Sequence, residues 1–348
     1  MNAPSFLSGV SITGTVRKLG PGFAFATAVA VVATLAAPGV ALVFPIPAMV
    51  LALLIGIALN RLAAAPIFQP GLTFCVKKLL RWAVALLGLR IALGDIVALG
   101  LATALMVILA MAATILAGFA LARAFGQRAE YGALAGAATA VCGASAALAT
   151  TTVLPNYKGK EADVAFVVVA VNALSTLAMI AYPPLAVVLG FDHQTTGVLL
   201  GATIHDVAQV VGAGYAVSET AGNTAVVVKL FRVFLLLPVV LIIGWWFARA
   251  GGHAENAKVP APVFAFVFLG LCLLNTAMAY LPALQPIYAP LREAAIVAST
   301  WGLLIAIGAL GLGTSLSAIA RLGWRHIATV TGTTLVILAI AAAALVVI

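Results

Sequence analysis

The residues best suited to chemistry lie near the middle of the chain, in the segment Gly201-Ala202-Thr203-Ile204-His205-Asp206-Val207-Ala208-Gln209-Val210-Val211-Gly212. This polar motif stands inside an apolar stretch of membrane-spanning length. An ionisable side chain in hydrocarbon costs roughly 2.5–3.5 kcal/mol on insertion scales, so such residues usually line a polar pathway. Asp206 could carry a proton or coordinate a cation, and His205 could bind an anion when protonated. The structural alternative is that Asp206 caps or pairs within the bundle and His205 is a hydrogen-bonded interior residue.

Two basic residues, Lys229 and Arg232, lie three positions apart in the next apolar segment, and therefore on one face of a helix. If that face points inward, two fixed positive charges would form a site for a small oxyanion, with the planar fork of Arg232 contacting two oxygens. Both side chains could instead extend their long stems to the membrane interface. The sequence leaves this choice open, and it does not show whether these charges meet Asp206.

Two glycine-rich segments predict interruptions in membrane helices, because each contains a Gly-x-Ser triplet within an apolar stretch. An unwound helix there would expose backbone N–H groups, whose partial positive charge suits an anion. Close packing through small residues explains the same pattern without any ligand. The candidate substrate-binding residues are Cys142, Gly143, Ala144, Ser145, Lys229, Arg232, Gly313, Thr314 and Ser315. The candidate coupling or proton-carrying residues are His205, Asp206 and Gln209.

The composition indicates that membrane-spanning helices position these residues. Of 348 residues, 64% are hydrophobic and only 8% are charged, and the mean hydropathy is +1.22; a soluble domain has about 25% charged residues. We therefore predict an all-α polytopic membrane protein, with residues 1–348 forming a single transmembrane domain. Apolar windows predict about eleven spans, near 22–38, 44–60, 74–95, 97–122, 130–155, 162–190, 195–217, 223–249, 263–281, 292–316 and 325–348.

The distribution of basic residues predicts the orientation, because cytoplasmic loops carry an excess of Lys and Arg. With a cytoplasmic amino terminus and eleven crossings, twelve basic residues lie on the inner side and at its span borders: Arg17, Lys18, Arg61, Lys77, Lys78, Arg81, Arg123, Arg128, Arg249, Lys258, Arg321 and Arg325. Only Lys158, Lys160 and Arg292 lie outside. The net charge of +9 therefore predicts contact with anionic membrane lipid, not nucleic acid, and the carboxyl terminus is expected outside.

An inverted repeat is predicted from the two glycine-rich segments. Spans five and ten are displaced by five helices, an odd number, so they would run in opposite directions. The repeats would cover about 44–190 and 195–348, with 22–38 as an extra amino-terminal helix. A second match, residues 84–100 against 307–323, is displaced by seven helices, also an odd number. The sequence supports inversion but leaves the register open.

Signatures of enzymes and of metal or redox centres are missing from the sequence. There is no nucleophile elbow, no His-Glu-x-x-His and no phosphate-binding glycine loop. Cys75, Cys142 and Cys272 lack metal-ligand and redox spacing. We expect no enzyme activity, no cofactor and no structural metal.

The chain resembles the YeiH family of bacterial inner-membrane proteins, to which sulfate export is attributed. The motifs that carry the resemblance are Asn60, Pro70-Gly71, Lys77-Lys78-Leu79-Leu80-Arg81, Leu87-Gly88-Leu89-Arg90, Cys142-Gly143-Ala144-Ser145-Ala146, Gly201 to Val210, Val228-Lys229-Leu230-Phe231-Arg232-Val233 and Gly311-Leu312-Gly313-Thr314-Ser315. The resemblance implies a relationship to cation/proton antiporters and bile-acid-type symporters, which have inverted-repeat architecture with discontinuous helices.

These observations together predict a secondary transporter in the bacterial inner membrane. It would move a small anion, with sulfate or another sulfur oxyanion suggested by the resemblance, and be coupled to protons or cations. Two alternatives stay open: a passive anion channel, and a membrane scaffold or sensor whose polar groups only specify packing. The sequence does not decide whether the protein forms a homo-oligomer.

Overall fold

A computed structural model describes residues 12–41, 48–249, 263–314 and 323–347 of the protein. These residues form helices and connecting turns without a strand. Six helical stretches are long and apolar enough to cross a membrane: Arg17–Val40, Gly100–Ala124, Lys160–Val188, Glu219–Arg249, Pro282–Gly313 and Trp324–Val347. The protein is therefore an all-helical, multi-pass membrane protein. The other five predicted spans fall on shorter or interrupted helices.

The helices in chain order are α1 (Ile12–Ala41), α2 (Ala48–Ala58), α3 (Asn60–Ala63), α4 (Gln69–Phe74), α5 (Leu80–Leu86), α6 (Leu93–Ala98), α7 (Gly100–Ala124), α8 (Ala129–Ala140), α9 (Ala144–Thr151), α10 (Lys160–Val188), α11 (His193–Thr203), α12 (Val207–Val217), α13 (Glu219–Phe234), α14 (Leu236–Arg249), α15 (Val263–Met278), α16 (Gln285–Gly313) and α17 (Trp324–Val347). A π-helical turn joins α4 to α5. Two compact units share these helices.

The first unit combines α1 to α4 with the carboxyl-terminal part of α16. Its buried core consists largely of Ala, Val and Leu side chains from α1, α2 and α16. Small residues allow the helices to approach closely: a Cβ added to Gly311 would lie 2.4 Å from the carbonyl oxygen of Leu53. The amide of Asn60 donates a hydrogen bond of 2.7 Å to the carbonyl of Leu312, near the end of α16.

The interruption predicted at Gly313-Thr314-Ser315 in the tenth span falls where the described residues end, so it stays a prediction. Helix α16 continues without a break to Gly313, and the Thr314 hydroxyl donates to the Leu310 carbonyl at 2.8 Å, as in a helical last turn. Gly308 and Gly311 pack against α1 and α2, so these two glycines serve close helix packing, which needs no ligand. Ser315 lies outside the described residues.

The second unit contains α6 to α15, α17 and the amino-terminal half of α16. Helices α7 and α8 pack closely because Gly118, Gly132 and Gly136 carry no side chains at their contact. Helix α17 packs against both, and the Thr139 and Thr333 hydroxyls hydrogen-bond to each other at 2.9 Å. Helices α10 and α13 complete the surroundings of the interrupted segments described below.

We expect Gly311→Ala to lower the stability of the protein by about 1–3 kcal/mol, because the new methyl group would overlap the backbone of α2. The matched control is Gly270→Ala in α15, where a Cβ would meet no atom within 4 Å and helix propensity favours alanine. The measurement is the melting temperature of the purified protein in detergent. Equal melting temperatures for the two variants would contradict the close packing of α16.

Candidate functional site

The predicted fifth span is a helical hairpin, named hairpin A, formed by α8, a three-residue tip and α9. Its two ends lie together: the Arg128 guanidinium, just before α8, stacks 5.8 Å from the ring centre of Tyr157, which follows α9. The Lys160 amine also donates to the carbonyl of Leu154 at 2.8 Å. The last tip residue, Gly143, has φ +62°, a conformation that favours glycine. The helix is thus interrupted where the sequence predicts a break, but it turns back instead of continuing.

The predicted seventh span is a second hairpin, named hairpin B, formed by α11, a tip at residues 204–206 and α12. A Cβ added to Gly197 would lie 2.7 Å from the Ala221 carbonyl oxygen, and one on Gly201 would lie 2.5 Å from the Ala225 carbonyl oxygen. The residue numbers of the facing positions rise together, from 197 opposite 221 to 201 opposite 225, so α11 runs parallel to α13.

Helix α12 runs in the opposite direction along the same helix α13. A Cβ added to Gly214 would lie 2.8 Å from the Cα of Gly222, and Ser218 is the single residue that connects the two helices. Since α11 is parallel and α12 antiparallel to α13, both ends of hairpin B lie at the same end of α13. Hairpin B therefore also turns back on itself.

The two hairpins enter the unit from opposite ends of α10. This helix has 29 residues and is about 43 Å long at 1.5 Å per residue. It begins beside the ends of hairpin A, and a four-residue turn connects its other end to hairpin B. The tips meet near its middle, because a Cβ added to Gly143 would lie 3.6 Å from Val171 and 3.8 Å from His205.

These hairpins correct two of the predicted membrane spans. Residues 130–155 and 195–217 are apolar and long enough to cross a membrane, and hydropathy cannot distinguish a crossing from two short antiparallel helices. His205 and Asp206 do not lie on a regular helix: the backbone is extended at Ile204 and at Asp206. The sequence feature that could have indicated these helix boundaries was N-capping, since Asp206 and Ser218 each accept a hydrogen bond from the first turn of the following helix.

Arg232 binds the tips of both hairpins. Its Nε donates to the Ala140 carbonyl at 3.0 Å and its Nη2 to the Thr139 carbonyl at 2.9 Å, both in hairpin A. Its Nη1 donates to the carbonyls of Gly201 and Ile204 in hairpin B, at 2.9 and 3.0 Å. The side chain is completely buried. One guanidinium thus joins the carboxyl ends of α8 and α11.

Lys229, one helical turn earlier and also completely buried, makes the same connection. Its Nζ donates to the Val141 carbonyl at 2.6 Å and to the Ile204 carbonyl at 2.9 Å. A helix end carries unpaired carbonyls and about half a negative charge. The two cations therefore neutralise two helix ends, and those carbonyls in turn compensate the burial of the cations. Extension of either side chain to the membrane interface is excluded.

The remaining predicted coupling residues lie at the tip of hairpin B. His205 is buried; its Nε2 is 2.9 Å from the Thr334 hydroxyl of α17, and its Nδ1 has no partner within the described residues. Asp206 accepts a hydrogen bond of 2.8 Å from the Ala208 amide, and its own amide donates to the Ser175 hydroxyl at 3.0 Å. Gln209 is buried two positions into α12.

The amide end of α9 is the more open part of hairpin A. Cys142 and Gly143 are buried, Ala144 is half-buried and Ser145 is exposed. Because cations cover the carboxyl ends of α8 and α11, the amino end of α9, which has no side-chain cap at Gly143, leaves a local excess of positive charge that can attract an anion. Of the predicted substrate-binding residues, the four in hairpin A and the two cations lie together. Gly313 and Thr314 belong to the other compact unit.

Sequence reasoning missed the backbone and neutral partners of this site. The cations bind carbonyls of Thr139, Ala140, Val141, Gly201 and Ile204, which no side-chain pattern identifies. Thr176 and Thr334 were also missed, because isolated Thr residues are common on membrane helices.

Comparison with known proteins places the chain in a family. The family model "Conserved hypothetical protein 698" matches residues 21–330. The chain belongs to this family, which is also named UPF0324 and is the YeiH family. The resemblance inferred from the motifs is therefore confirmed.

Similar proteins in the UPF0324 family match over most of their length. The UPF0324 membrane protein CT0845 of Chlorobaculum tepidum is 43% identical over 285 residues, 81% of this chain and 77% of the relative. The UPF0324 membrane protein TauZ of Paracoccus pantotrophus is 41% identical over 321 residues, 91% of this chain and 92% of the relative. The UPF0324 membrane protein RB0971 of Rhizobium meliloti is 41% identical over 330 residues, 94% and 92% of the two chains. No solved structure matches the chain.

We expect Arg232→Met to lower the stability by about 3–5 kcal/mol, because four buried carbonyls lose their hydrogen bonds to the guanidinium. The stability of Arg232→Lys should lie between those of Arg232→Met and the wild type, since lysine keeps the charge but loses the planar guanidinium with its several donors. The control is Arg249→Met, an exposed residue at the end of α14 that stacks on Trp245. The measurement is the melting temperature in detergent of each of the three variants and the wild type. An Arg232→Met protein as stable as the control would show that the cation does not hold the hairpins.

The hairpins also predict which positions share a side of the membrane. In a protein whose three buried cysteines are replaced by alanine, Arg128→Cys and Asn156→Cys should both be protected from an impermeant maleimide added to spheroplasts. Gln194→Cys, at the base of hairpin B, should react. Eleven crossings would instead place positions 128 and 156 on opposite sides, and such labelling would refute hairpin A.

Proposed function

We propose that the protein is a secondary transporter that moves a small anion across the bacterial inner membrane, with sulfate or another sulfur oxyanion as the leading candidate. The observation that carries this proposal is the meeting of two oppositely inserted hairpins at a buried pair of cations. Interrupted helices at membrane depth occur where backbone is buried in protein or lines a cavity, and secondary transporters use such helix ends to bind ions.

A topology with nine crossings supports the proposal. If hairpins A and B re-enter and do not cross, Lys158 and Lys160 join the twelve basic residues on the cytoplasmic side, and only Arg292 remains outside. The positive-inside bias thus becomes stronger than with eleven crossings. Nine is also odd, so the amino terminus remains cytoplasmic and the carboxyl terminus periplasmic.

An inverted repeat in a new register accompanies this topology. Each hairpin is followed by a long helix, α10 after hairpin A and α13 with α14 after hairpin B, and the hairpins enter from opposite ends. The sequence Gly132-Ala-Leu-Ala-Gly136-Ala in α8 parallels Gly197-Val-Leu-Leu-Gly201-Ala in α11. In the repeat that we propose, hairpin A pairs with hairpin B, and this register replaces both registers considered from the sequence alone. The two hairpins and their following helices would form one pseudo-symmetric unit around the tips, as expected for alternating access.

The residues have distinct roles in the proposed transport. The first amides of α9 and the Ser145 hydroxyl bind the anion, as helix amino ends bind anions elsewhere. Lys229 and Arg232 attract it electrostatically while they hold the hairpin tips through backbone carbonyls. Asp206, at the tip of hairpin B, carries the charge of the coupling ion or proton.

The direct test is flux in proteoliposomes. We expect saturable uptake of at least one of sulfate, sulfite, thiosulfate, a sulfonate, bicarbonate or a monocarboxylate, driven by a proton or cation gradient. The same anion should raise the melting temperature of the purified protein, because a ligand stabilises the folded state that it binds. Anion flux whose rate does not depend on any imposed proton or cation gradient would identify a passive channel. Flux equal to that of empty liposomes for all these anions would refute transport.

Asp206→Asn should reduce gradient-driven flux roughly tenfold or more while the protein stays folded, because asparagine also caps a helix. The matched control is Asp192→Asn at the exposed amino end of α11. Asp192 has the same capping role, and the hydrogen bond from the Thr195 amide holds its pKa below the usual value. Gradient-driven flux that survives in Asp206→Asn would remove this carboxylate from the coupling step.

A further inference from the structure

A second polar cluster lies between hairpin B and α10, and the proposed anion site does not use it. Asn172, Ser175 and Thr176 are at positions i, i+3 and i+4 and so share one face of α10. This face meets Asp206 and Gln209: the Asp206 amide donates to the Ser175 hydroxyl, and the Gln209 amide nitrogen lies near Asn172 and Thr176. Four oxygen-bearing side chains, together with the residue Asp206, thus lie between the tip of hairpin B and the middle of α10.

The amide of Gln209 is poorly satisfied in this cluster. Its Nε2 is 3.4 Å from both Asn172 Oδ1 and Thr176 Oγ1, longer than the usual N–H···O distance of about 2.9–3.0 Å. Its Oε1 is buried and has no partner within the described residues. A buried amide oxygen without a donor is costly. Half a turn of the amide would place this oxygen about 3.4 Å from both Asn172 Oδ1 and Thr176 Oγ1.

The spacing of these atoms matches the coordination shell of a cation. Around an ion held by oxygen at roughly 2.4 Å, ligands on neighbouring corners of an octahedron are about 3.4 Å apart. Carboxylate, amide and hydroxyl oxygens are the donors that such hard cations take. We infer that this cluster binds a sodium ion, with ligands from Asn172, Thr176, Asp206 and Gln209 and support from Ser175.

The charge of the cluster selects a monovalent ion over a divalent ion of similar size. Calcium sites usually contain several carboxylates, whereas Asp206 is the one acidic residue of this cluster. The buried positive charges of Lys229 and Arg232, at the same hairpin tip, disfavour a second charge on the ion further. A sodium ion beside Asp206 forms a neutral pair.

The position of the cluster gives the ion a mechanical role. Asp206 caps α12 and Ser175 holds the Asp206 backbone, so an ion between hairpin B and α10 would fix the hairpin tip in place. This tip touches Gly143 of hairpin A, directly before the proposed anion-binding amides. In this respect the inference rests on the proposed function: sodium would be the coupling ion for anion transport.

The test compares melting temperatures of the purified protein in sodium, potassium and choline chloride at equal ionic strength. We expect sodium to raise the melting temperature above both other salts in a saturable way, with the same preference in direct binding of radioactive sodium. Equal melting temperatures in the three salts, or stabilisation that follows pH alone, would overturn the inference.

Thr176→Val and Thr203→Val form a matched pair of variants. Each hydroxyl donates to a carbonyl one turn earlier in its own helix, Thr176 to Asn172 and Thr203 to Leu199, so both variants lose one similar hydrogen bond. Only Thr176→Val loses an oxygen of the cluster, and we expect it to weaken sodium binding roughly tenfold or more while Thr203→Val binds normally. Equal sodium affinity in the two variants would remove Thr176 from the site.

Flux measurements separate this inference from the proposed function. Sodium binding without anion flux would refute transport and leave the cation site standing. Anion flux driven equally in sodium and in choline media, with no sodium binding, would refute the cation site and leave anion transport standing.

Discussion

The architecture of the second unit depends on two buried cations that bind the carboxyl ends of two interrupted helices. A helix that stops at membrane depth exposes carbonyls that neither water nor lipid can satisfy. Arg232 and Lys229 supply hydrogen bonds and positive charge to both ends at once. Without them each hairpin tip would carry unpaired buried carbonyls, and the cations without the tips would be uncompensated charges in a low-dielectric interior.

The same arrangement gives the two sides of each tip different chemistry. The carboxyl ends of α8 and α11 are neutralised by side chains, whereas the amino end of α9 has no side-chain cap at Gly143 and that of α12 is capped by Asp206. One tip therefore suits an anion and the other carries a carboxylate beside neutral oxygens. In the transport that we propose, an anion at one tip and a cation at the other would each lower the cost of placing the other charge.

Glycines have two physical roles in this protein, which look alike in a sequence. Gly143 has a positive φ and allows the chain to turn back at the tip of hairpin A. Gly308 and Gly311 lie inside a continuous helix, where the missing side chain lets α16 approach α1 and α2. Local sequence does not separate these roles, because both segments are apolar and rich in small residues, and only the neighbouring helices differ.

The sequence by itself determined the class of the protein, its family and the residues of the polar tip. Composition requires a helical membrane protein, and the charged residues of the His-Asp and Lys-x-x-Arg motifs could remain in hydrocarbon only with partners. The tertiary structure decided that residues 130–155 and 195–217 turn back, that Arg232 and Lys229 bind carbonyls, and that Thr176 joins Gln209. Hydropathy records how apolar a segment is but not its direction, and backbone carbonyls have no sequence signature. Contacts between distant segments therefore had to be seen in the fold.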